Sequence, residues 1–492
     1  MDVKTIATIG RRLKPFLGHF ADCFNRSEPR DHLKTYVNGQ VSGLHRKSVE
    51  PMALKSGTPP RTLQQFLGAD RWDEQRLRDR MQWLVASEHA DREAIGIIDE
   101  TSTPKCGKHT ACVHRQWCGN KGKRDNCVVS VHTSYVADDF HCILDSDLFM
   151  PEVWAEDLPR RQMAHVPDVV EFRTKPQIAL DQVTHALRNG VRVAAWTFDE
   201  LYGMGSEFLD GVQALGQNYV GEIPVDFRGW LQEPQVLLRP TSQELHKRGR
   251  KRHFPRLARK ALPACEVRNL LKHSPIFRKQ KWQRFKIKDG EKGPAVWEVK
   301  HAIFYRKQHD GMPSLPQYLI VARNVLDPTE IKFFISNVLP SADTPLQWLL
   351  RVAFSRYPIE QCFRQAKDDL GMDHFEVRGW QAIHRHFYIS QLSLLFCSRV
   401  QQELQTKKTI DEEYLTVEMI HHAASAVVET FGMPTLARAK ILKKAADTIN
   451  YHLHHNREAR RFHTKKTIAR LHAIGIDPEK LPSCVLDDPP EP

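Results

Sequence analysis

Three acidic residues in three different settings are the part of this sequence best suited to chemistry. Asp99 ends the apolar run 94–98, Asp199 ends the apolar run 193–198, and Glu360 lies in a helical pattern. Carboxylates at strand ends project beyond the paired backbone, and a third from a helix can complete a set of hard oxygen ligands for Mg²⁺. Two such ions, about 3.5 to 4 Å apart, would clamp the attacking and leaving oxygens of a phosphoryl transfer. The three residues therefore predict a catalytic metal site.

The pattern around Glu360 predicts a helix that has Pro358 in its first turn and ends at Gly371. Its apolar stripe consists of Ile359, Cys362, Phe363, Ala366 and Leu370. Glu360, Arg364 and Lys367 then share the opposite side, so that the carboxylate faces the site and the two cations face phosphates around it. A surface ion pair between Glu360 and Arg364 is the alternative, but it leaves the two aspartates unexplained.

Positive charge is concentrated in one segment. The chain of 492 residues has a formal net charge of +13, yet 246–288 alone contains sixteen Lys or Arg against one acid, Glu266. The net charge of this segment alone exceeds the net charge of the whole chain, so the rest of the chain is close to neutral. We therefore expect an anionic partner at the segment. The cations predicted to contact DNA phosphates here are Lys247, Arg248, Arg250, Lys251 and Arg252.

Aromatic residues interleave with these charges, namely Phe254, Phe277, Trp282 and Phe285. Such a pattern suits a surface that meets phosphates and stacks on bases, while aromatics directed to a local core are the alternative. A second basic stretch, 456–466, lies on a predicted helix whose shared cations are Arg457, Arg460, Arg461 and Lys465. DNA binding and a solvated helical face are both open for that helix.

Composition indicates an ordinary globular chain, with 41% apolar and 27% charged residues. No stretch reaches the roughly 18 to 20 uncharged apolar residues of a membrane helix, and the N-terminus has no apolar signal core. We therefore expect a cytoplasmic, nucleoid-associated protein with no membrane partner.

Cysteine and histidine residues cluster between 106 and 127, namely Cys106, His109, Cys112, His114, Cys118 and Cys127. The cluster contains no CxxC pair, and its spacing matches none of the usual zinc fingers. We expect reduced, unpaired cysteines in a loop and a strand, without a structural metal.

The order of predicted elements indicates an α/β fold. Residues 1–88 are predicted to form a helical, DNA-binding N-terminal region. Within 89–224, three strands, a helix, a strand, a helix and a strand follow, which is the order of a ribonuclease H-like catalytic core. The predicted divisions after it are a basic β-rich insertion at 225–316, a second core part at 317–400 and a helical C-terminal region at 401–492.

The residues around the carboxylates resemble a known family. Glu360 is followed after six residues by Lys367, and Arg356 lies four positions before it. This is similar to the Tyr-Arg-Glu-Lys signature of bacterial insertion-sequence transposases with an Asp-Asp-Glu site, a branch of the ribonuclease H-like DDE superfamily. The signature Tyr would fall at Ala353, so the resemblance implies no Tyr contact there. The likeness spans nearly the whole chain, through 98–101, 199–203, 371–378 and 384–386.

This resemblance implies a DNA transposase that binds element ends and performs metal-dependent cleavage and strand transfer. Asp99, Asp199 and Glu360 would hold two Mg²⁺, or Mn²⁺ in their place, and Arg356 and Lys367 would hold flanking phosphates. The implied partners are terminal inverted repeats, target DNA and a second copy of the chain in a homodimer. Two alternatives stay open, a catalytically silent DNA-binding derivative and a metal-dependent nuclease without strand transfer.

Overall fold

The computed structural model describes residues 1–138, 140–241, 245–246, 248–406 and 415–484. The chain divides into two compact units. Unit 1 consists of Met1–Ala194 and Tyr357–Ala459, and unit 2 consists of Ala195–Arg356 and Arg460–Pro492. The predicted mixture of helices and strands is confirmed. Among the described helices, none combines the length and the apolar character needed to cross a membrane.

Unit 1 begins with five helices, as the sequence predicts for 1–88. They are α1 (Val3–Gly18), α2 (Ser27–Gln40), α3 (Val49–Ser56), α4 (Pro60–Gly68) and α5 (Glu74–Glu88). Side chains satisfy the free amides at two of the helix starts, because Asp2 accepts a hydrogen bond from the Thr5 amide and Asp73 accepts one from the Arg76 amide. The apolar face of each helix is buried, for example Leu63, Phe66 and Leu67 of α4.

Four antiparallel strands of unit 1 follow, namely β1 (Ile95–Pro104), β2 (His114–Cys118), β3 (Lys123–Ala137) and β4 (Phe140–Leu148). Strand β3 pairs with each of the other three. The next helices are α6 (Glu152–Ala155), α7 (Leu158–Met163) and α8 (Lys175–Arg188). Three strands and the helix α8 confirm the predicted order, whereas β2 was not predicted because its polar sequence lacks apolar alternation.

Unit 2 opens with β5 (Ala195–Phe198), α9 (Glu200–Gly203), α10 (Ser206–Ala214) and β6 (Val220–Ile223). The predicted strand, helix and strand are present as β5, α10 and β6. A parallel bridge joins Trp196 of β5 to Tyr219, the residue before β6. The elements that follow are β7 (Arg228–Trp230), β8 (Val236–Leu237), β9 (Arg256–Leu257), β10 (Cys265–Glu266), α11 (Val267–His273), α12 (Pro275–Lys279), β11 (Gln283–Gly290), β12 (Gly293–Arg306), β13 (Gln317–Asn324), β14 (Ile331–Ser336) and α13 (Leu346–Ala353).

One antiparallel sheet joins the predicted β-rich insertion to strands on either side of it. Its strand order is β10-β7-β12-β13-β14-β6, and β11 also pairs with β12. The sequence assigned 317–400 to the second core part, but β13 pairs with β12 from Phe304–Gln317 to Trp297–Asn324. Residue 316 lies in the connection between the paired strands β12 and β13, and the predicted division there stays a prediction.

The chain returns to unit 1 with α14 (Tyr357–Arg364), a π-helical segment (Gln365–Asp369), α15 (Trp380–Thr406), α16 (Val417–Glu429) and α17 (Thr435–Ala473). The end of α17 belongs to unit 2, where Leu471 and Ile476 pack against Val296 of β12. After it, the Cys484 amide donates to the Lys286 carbonyl at 2.9 Å. The C-terminal region is thus helical first and extended at its described end.

Helix α15 is buried around its whole circumference, so its polar side chains need partners inside the protein. His384 Nε2 donates to Asp147 Oδ1 of β4 at 2.8 Å. His386 Nε2 donates to the Met372 carbonyl at 3.0 Å, and its Nδ1 accepts from the Tyr36 hydroxyl at 2.7 Å. Burial lowers the pKa of His386 to about 4, so the ring is neutral at pH 7 and keeps this pairing.

Arg385 connects α15 to the N-terminal helices. Its guanidinium donates to the carbonyls of Leu67 at 3.1 Å and Asp70 at 2.8 Å, and it pairs with Glu74. It also lies over the Trp72 ring, 4.4 Å from the centroid. A single buried arginine therefore satisfies the carbonyls that end α4 and fixes the start of α5.

We expect Arg385→Met to lower the free energy of unfolding by about 3 kcal/mol or more, because it removes a charged donor from several buried carbonyls. Urea denaturation followed by circular dichroism measures the loss. Arg378→Ala is the matched control, since Arg378 is exposed and should stay within about 0.5 kcal/mol. Equal stability of the two variants would contradict the assigned role of Arg385.

Candidate active site

Asp99 lies in the middle of β1, so the prediction that it ends its strand is wrong. The strand continues to Pro104 because residues 101–103, two Thr and a Ser, are buried and stay paired with β3. The Asp99 side chain is half-buried, and its Oδ1 accepts a hydrogen bond from the Glu100 amide at 2.8 Å. The backbone therefore fixes the orientation of this carboxylate.

The side chain of Asp99 shares one face of the sheet with His132 and Thr101. Asp99 and His132 are direct cross-strand partners, whose side chains point to the same face, and Thr101 returns to that face two residues later. Burial and the nearby Lys367 charge lower the pKa of His132 to about 3. Its neutral ring is hydrogen-bonded to the Ser130 hydroxyl at 2.7 Å.

Helix α14 covers this same face of the sheet. Its Phe363 ring meets the His132 ring edge-on, with 5.0 Å between centroids. The predicted apolar stripe is confirmed, because Ile359, Cys362 and Phe363 are buried. Glu360, one turn before Phe363, is exposed. Helix α14, which carries Glu360, therefore lies over the face of the unit 1 sheet that carries Asp99, and the meeting of the two carboxylates stays a prediction.

The helix does not continue regularly to its predicted end. After Arg364, five residues are π-helical, and this wider turn moves Lys367 away from the polar side where Arg364 stays exposed. Lys367 is buried and its Nζ donates to Thr101 Oγ1 at 2.5 Å, Asn120 Oδ1 at 3.2 Å and the Ser102 carbonyl at 3.4 Å. Burial lowers its pKa. Contact between Lys367 and a DNA phosphate stays a prediction.

Gly371 ends the segment, as predicted. Its φ is +72°, and a Cβ there would lie 2.6 Å from Lys47 Cβ and 2.9 Å from His374 Nδ1. Its amide donates to the Lys367 carbonyl at 3.0 Å. Only glycine combines this left-handed backbone with so little space.

Asp199 belongs to unit 2 and directly follows β5, as predicted. It is the N-terminal cap of α9, with Oδ1 accepting from the Leu201 amide at 3.0 Å. Its Oδ2 lies 3.5 Å from Arg356 Nη1, and both side chains are roughly a third exposed or less. The predicted phosphate contact Arg356 thus lies beside the second carboxylate.

The chemistry of the three carboxylates fits a hard divalent cation, which prefers oxygen ligands. Backbone amides already orient Asp99 and Asp199. Asp99 and Glu360 lie in unit 1 and Asp199 in unit 2. Within the described part of the chain, no group of three or more His, Cys, Asp or Glu side chains is placed to hold a metal ion. The gathering of all three around Mg²⁺ therefore stays a prediction.

The basic segment of unit 2 is exposed at its most charged part. Arg248, Arg250 and Arg252 are exposed, while Lys251 Nζ donates to the Leu245 carbonyl at 2.8 Å. Lys247 lies outside the described residues. Several neighbouring arginines are instead compensated by acids, since Glu266 pairs with Arg228 and Arg268, and Glu298 pairs with Arg284 and Arg323.

The aromatics of this segment are mostly unsuited to stacking on DNA bases. Phe277 and Phe285 are buried, which confirms the alternative that they belong to a local core. Trp282 has the Arg323 guanidinium 4.3 Å from its ring centroid. Phe254 remains 58% exposed and is the one of the four that presents an open ring.

The cysteine cluster contributes mainly to the core. Cys112, Cys118 and Cys127 are buried, and the last two pack with Val129, whereas Cys106 is exposed. Burial raises the pKa of Cys127 to about 12, so this thiol is protonated at pH 7. The absence of a structural metal stays a prediction.

The second basic stretch lies within α17, as predicted. Arg457 and Arg460 are half-buried, whereas Arg461 and Lys465 are exposed. DNA binding and a solvated face remain equally open for it.

Sequence reasoning did not single out the β2–β3 hairpin or its contact with Lys367. The available signal was a run of polar and basic residues around Trp117, closed by Gly119 and Gly122. Such a run predicts a turn, but it does not predict which helix the turn contacts.

The sequence profile of a family described as DDE superfamily endonuclease matches residues 19–294, which is more than half of the chain. A probable transposase for insertion sequence element IS701, from Microchaete diplosiphon, is 31% identical over 184 residues. That alignment covers 37% of this chain and 46% of the relative, so the chain matches less than half of the relative's length. Asp99 and Asp199 lie inside the family match, and Glu360 lies beyond it. The family predicted from the sequence is confirmed at the level of the superfamily, and its Tyr-Arg-Glu-Lys branch stays a prediction.

We expect Lys367→Met to lower the free energy of unfolding by about 2 kcal/mol, because buried acceptors on Thr101 and Ser102 lose a charged donor. Arg364→Met, at the exposed position one turn from Glu360, should change it by less than about 0.5 kcal/mol. Chemical denaturation of both variants gives the comparison. A phosphate role for Lys367 would instead leave stability unchanged and weaken the salt dependence of DNA binding.

Proposed function

The chain belongs to the DDE superfamily of endonucleases, and we propose that it is a DNA transposase that cuts element ends and joins them to target DNA. The observation that carries the proposal is that α14, the helix of Glu360, packs through Phe363 against His132, the cross-strand partner of Asp99. The likeness to a probable insertion-sequence transposase supports the same role. The partners would be terminal inverted repeats, target DNA and, because two ends must be joined, a second copy of the chain.

In this proposal Asp99, Asp199 and Glu360 hold the divalent ions, Mg²⁺ or Mn²⁺. When bound, such ions lower the pKa of an attacking water or 3′-hydroxyl and offset negative charge at the scissile phosphate. The amides of Glu100 and Leu201 orient the two aspartates before any ion arrives. His132, a neutral ring, supports α14 without adding a positive charge beside Asp99.

Cations near the carboxylates would position the DNA backbone. Arg364 is exposed one turn from Glu360, and Arg356 lies beside Asp199. A guanidinium can bind two phosphate oxygens at once, which makes arginine the suitable residue at both places. The role of Lys367 in this scheme is to position the site, because its Nζ donates to Thr101 and so holds β1 to the π-helical segment.

The exposed cations of 248–252 would supply general affinity for DNA. Closely spaced positive charges outside a groove-fitting helix contact phosphates rather than base edges, so they attract any sequence. Base reading is therefore not assigned to this segment.

A second candidate is a nuclease that hydrolyses DNA without strand transfer, because the family description names endonuclease activity alone. The products separate the two functions. Transposition joins an element end covalently to a second duplex, whereas hydrolysis leaves free ends. Incubating labelled end DNA with a supercoiled target plasmid in Mg²⁺ and looking for label on the plasmid distinguishes them.

We expect Asp99→Asn, Asp199→Asn and Glu360→Gln each to abolish cleavage while DNA binding remains, since each removes an anionic ligand and leaves the phosphate contacts. Gel shift and cleavage assays on duplexes taken from the inverted repeats that flank the coding region measure both properties, in Mg²⁺ and in Mn²⁺. Glu376→Gln, which changes an exposed carboxylate paired with Arg46, is the matched control and should cut normally. Wild-type cleavage by any of the three variants would remove that residue from the proposed site.

We expect replacement of Arg248, Arg250 and Arg252 by Ala to weaken binding to end DNA and random DNA alike. The slope of log affinity against log salt should fall by about 0.9 for each phosphate that the protein no longer neutralises. The matched control replaces Arg228, Arg268 and Arg284, whose charges are already compensated by Glu266 and Glu298. Equal effects of the two triple variants would show that net charge, and not this segment, sets the affinity.

A further inference from the structure

A row of three residues crosses the sheet of unit 1 at the candidate site. Asp99 on β1 lies directly opposite His132 on β3, and His132 lies directly opposite Ser146 on β4. Side chains that are directly opposite in an antiparallel sheet share a face, with their Cβ atoms about 4.5 to 5.5 Å apart. His132 is therefore the neighbour that separates the predicted metal ligand Asp99 from Ser146.

Four buried polar side chains on this face form a hydrogen-bond relay, which consists of Gln391, Ser146, His132 and Ser130. Gln391 Nε2 of α15 donates to the Ser146 hydroxyl, and that hydroxyl is bonded to His132 Nδ1. His132 Nε2 is bonded in turn to the Ser130 hydroxyl at 2.7 Å. All four residues are at most 2% exposed, so bulk water does not replace a missing partner.

Packing alone does not require a histidine at position 132. Its ring contacts Phe363 with 5.0 Å between centroids and Phe387 with 6.1 Å, and a phenylalanine would fill the same space. Burying two ring nitrogens is unfavourable unless both are hydrogen-bonded, and here both are. The bonded nitrogens therefore indicate a role beyond filling space.

The direction of the relay is set at Gln391. Its amide nitrogen can only donate, so Ser146 accepts there and has one proton of its own to place. Among the described residues, His132 Nδ1 is the only other partner of this hydroxyl, and a buried hydroxyl without an acceptor is costly. Ser146 therefore donates to Nδ1. A neutral ring that accepts at Nδ1 carries its proton on Nε2, so Nε2 donates to Ser130.

The relay ends beside Asp99. Ser130 lies opposite Thr101, two residues after Asp99, so the Ser130 hydroxyl is on the Asp99 face of the sheet. Thr101 Oγ1 already accepts from Lys367 Nζ. Because Ser130 accepts from the ring, its own proton is directed away from His132. The relay thus presents a hydroxyl donor diagonal to a carboxylate, which in its ionised form can only accept.

We propose that His132 is a positioning residue of the candidate site. As the Nε2–H tautomer it passes the direction of the Gln391 bond to Ser130, so that this hydroxyl donates towards Asp99. Hydrogen bonds from outside the ligand set orient ligating carboxylates and raise their affinity for a metal ion. The opposite tautomer would turn the lone pairs of Ser130 towards the carboxylate. This inference rests on the proposed function, since it assigns His132 a part in holding the divalent ions.

The first measurement determines the tautomer. The full chain is labelled with ¹³C and ¹⁵N in histidine, and magic-angle spinning NMR at pH 7 compares the wild type with His132→Phe. The signals missing from the variant identify the His132 ring. We expect one protonated ring nitrogen, Nε2, identified through the ring carbons bonded to it. A proton on Nδ1, or a proton on each nitrogen, would overturn the proposal.

The second measurement is the affinity for Mn²⁺ in the presence of end DNA, from the electron paramagnetic resonance signal of free Mn²⁺. We expect His132→Phe, which keeps a ring against Phe363, to weaken this affinity on the order of tenfold. Ser146→Ala should weaken it in the same direction. Ser393→Ala is the matched control, because it removes a buried hydroxyl that donates to Gln40 Oε1 at 2.8 Å outside the relay. Equal Mn²⁺ affinity of the wild type and His132→Phe would contradict the positioning role.

Cleavage at increasing Mn²⁺ separates positioning from a loss of structure. For His132→Phe, the Mn²⁺ concentration that gives half-maximal cutting should rise on the order of tenfold, while the rate at saturating Mn²⁺ stays within about twofold of the wild type. A rate that stays low at every Mn²⁺ concentration would count against the proposal. If His132→Phe unfolds at lower temperature than the wild type, Ser130→Ala replaces it, because it removes the donor beside Asp99 and keeps the ring.

Failure of this inference and failure of the proposed function give different results. If the wild type binds Mn²⁺ and cuts end DNA while His132→Phe binds Mn²⁺ as tightly, the inference fails and the proposed function stands. If the wild type neither binds Mn²⁺ nor cuts, the proposed function fails and the positioning role fails with it. The tautomer found by NMR then still decides whether the relay has the direction derived above.

Discussion

The fold of unit 1 depends on one constraint, which is that the buried helix α15 must satisfy its own polar side chains. An unpaired buried donor or acceptor costs about 1 to 3 kcal/mol, so each partner is held at a fixed place. His384 fixes β4 through Asp147, Arg385 fixes the end of α4, and His386 fixes the turn at Met372. Helices, sheet and turn are thereby brought into register by three consecutive residues.

The turn at 371–372 connects α15 to the candidate site, so the position of α15 also fixes the position of the site. It follows the π-helical segment directly, and that segment places Lys367 against Thr101 while α14 places Phe363 against His132. Two contacts thus fix the segment that carries Glu360 on one strand pair, and Asp99 lies on the covered face of that pair. Phosphoryl transfer depends on positioning to within about 0.5 Å, which a helix held at two points can supply. Neutral His132 suits this place because it adds no charge next to a carboxylate.

Local patterns were sufficient to predict some of these features. The stripe of α14, the glycine at 371 and the strand before Asp199 follow from spacing within a few residues, and the structure contains all three. The π-helical turn was not predictable, because it depends on a lysine reaching acceptors more than 200 residues away in the sequence. The continuation of β1 past Asp99 and the burial of Phe277 and Phe285 likewise depend on distant partners.

The distribution of compensated and uncompensated charge separates two kinds of basic surface. In unit 2, Glu266 and Glu298 compensate four arginines, whereas Arg248, Arg250 and Arg252 are exposed. Attraction of that kind acts over roughly a Debye length and weakens steeply with salt. The exposed arginines are therefore suited to attracting an anionic partner from a distance, whereas the compensated ones are not.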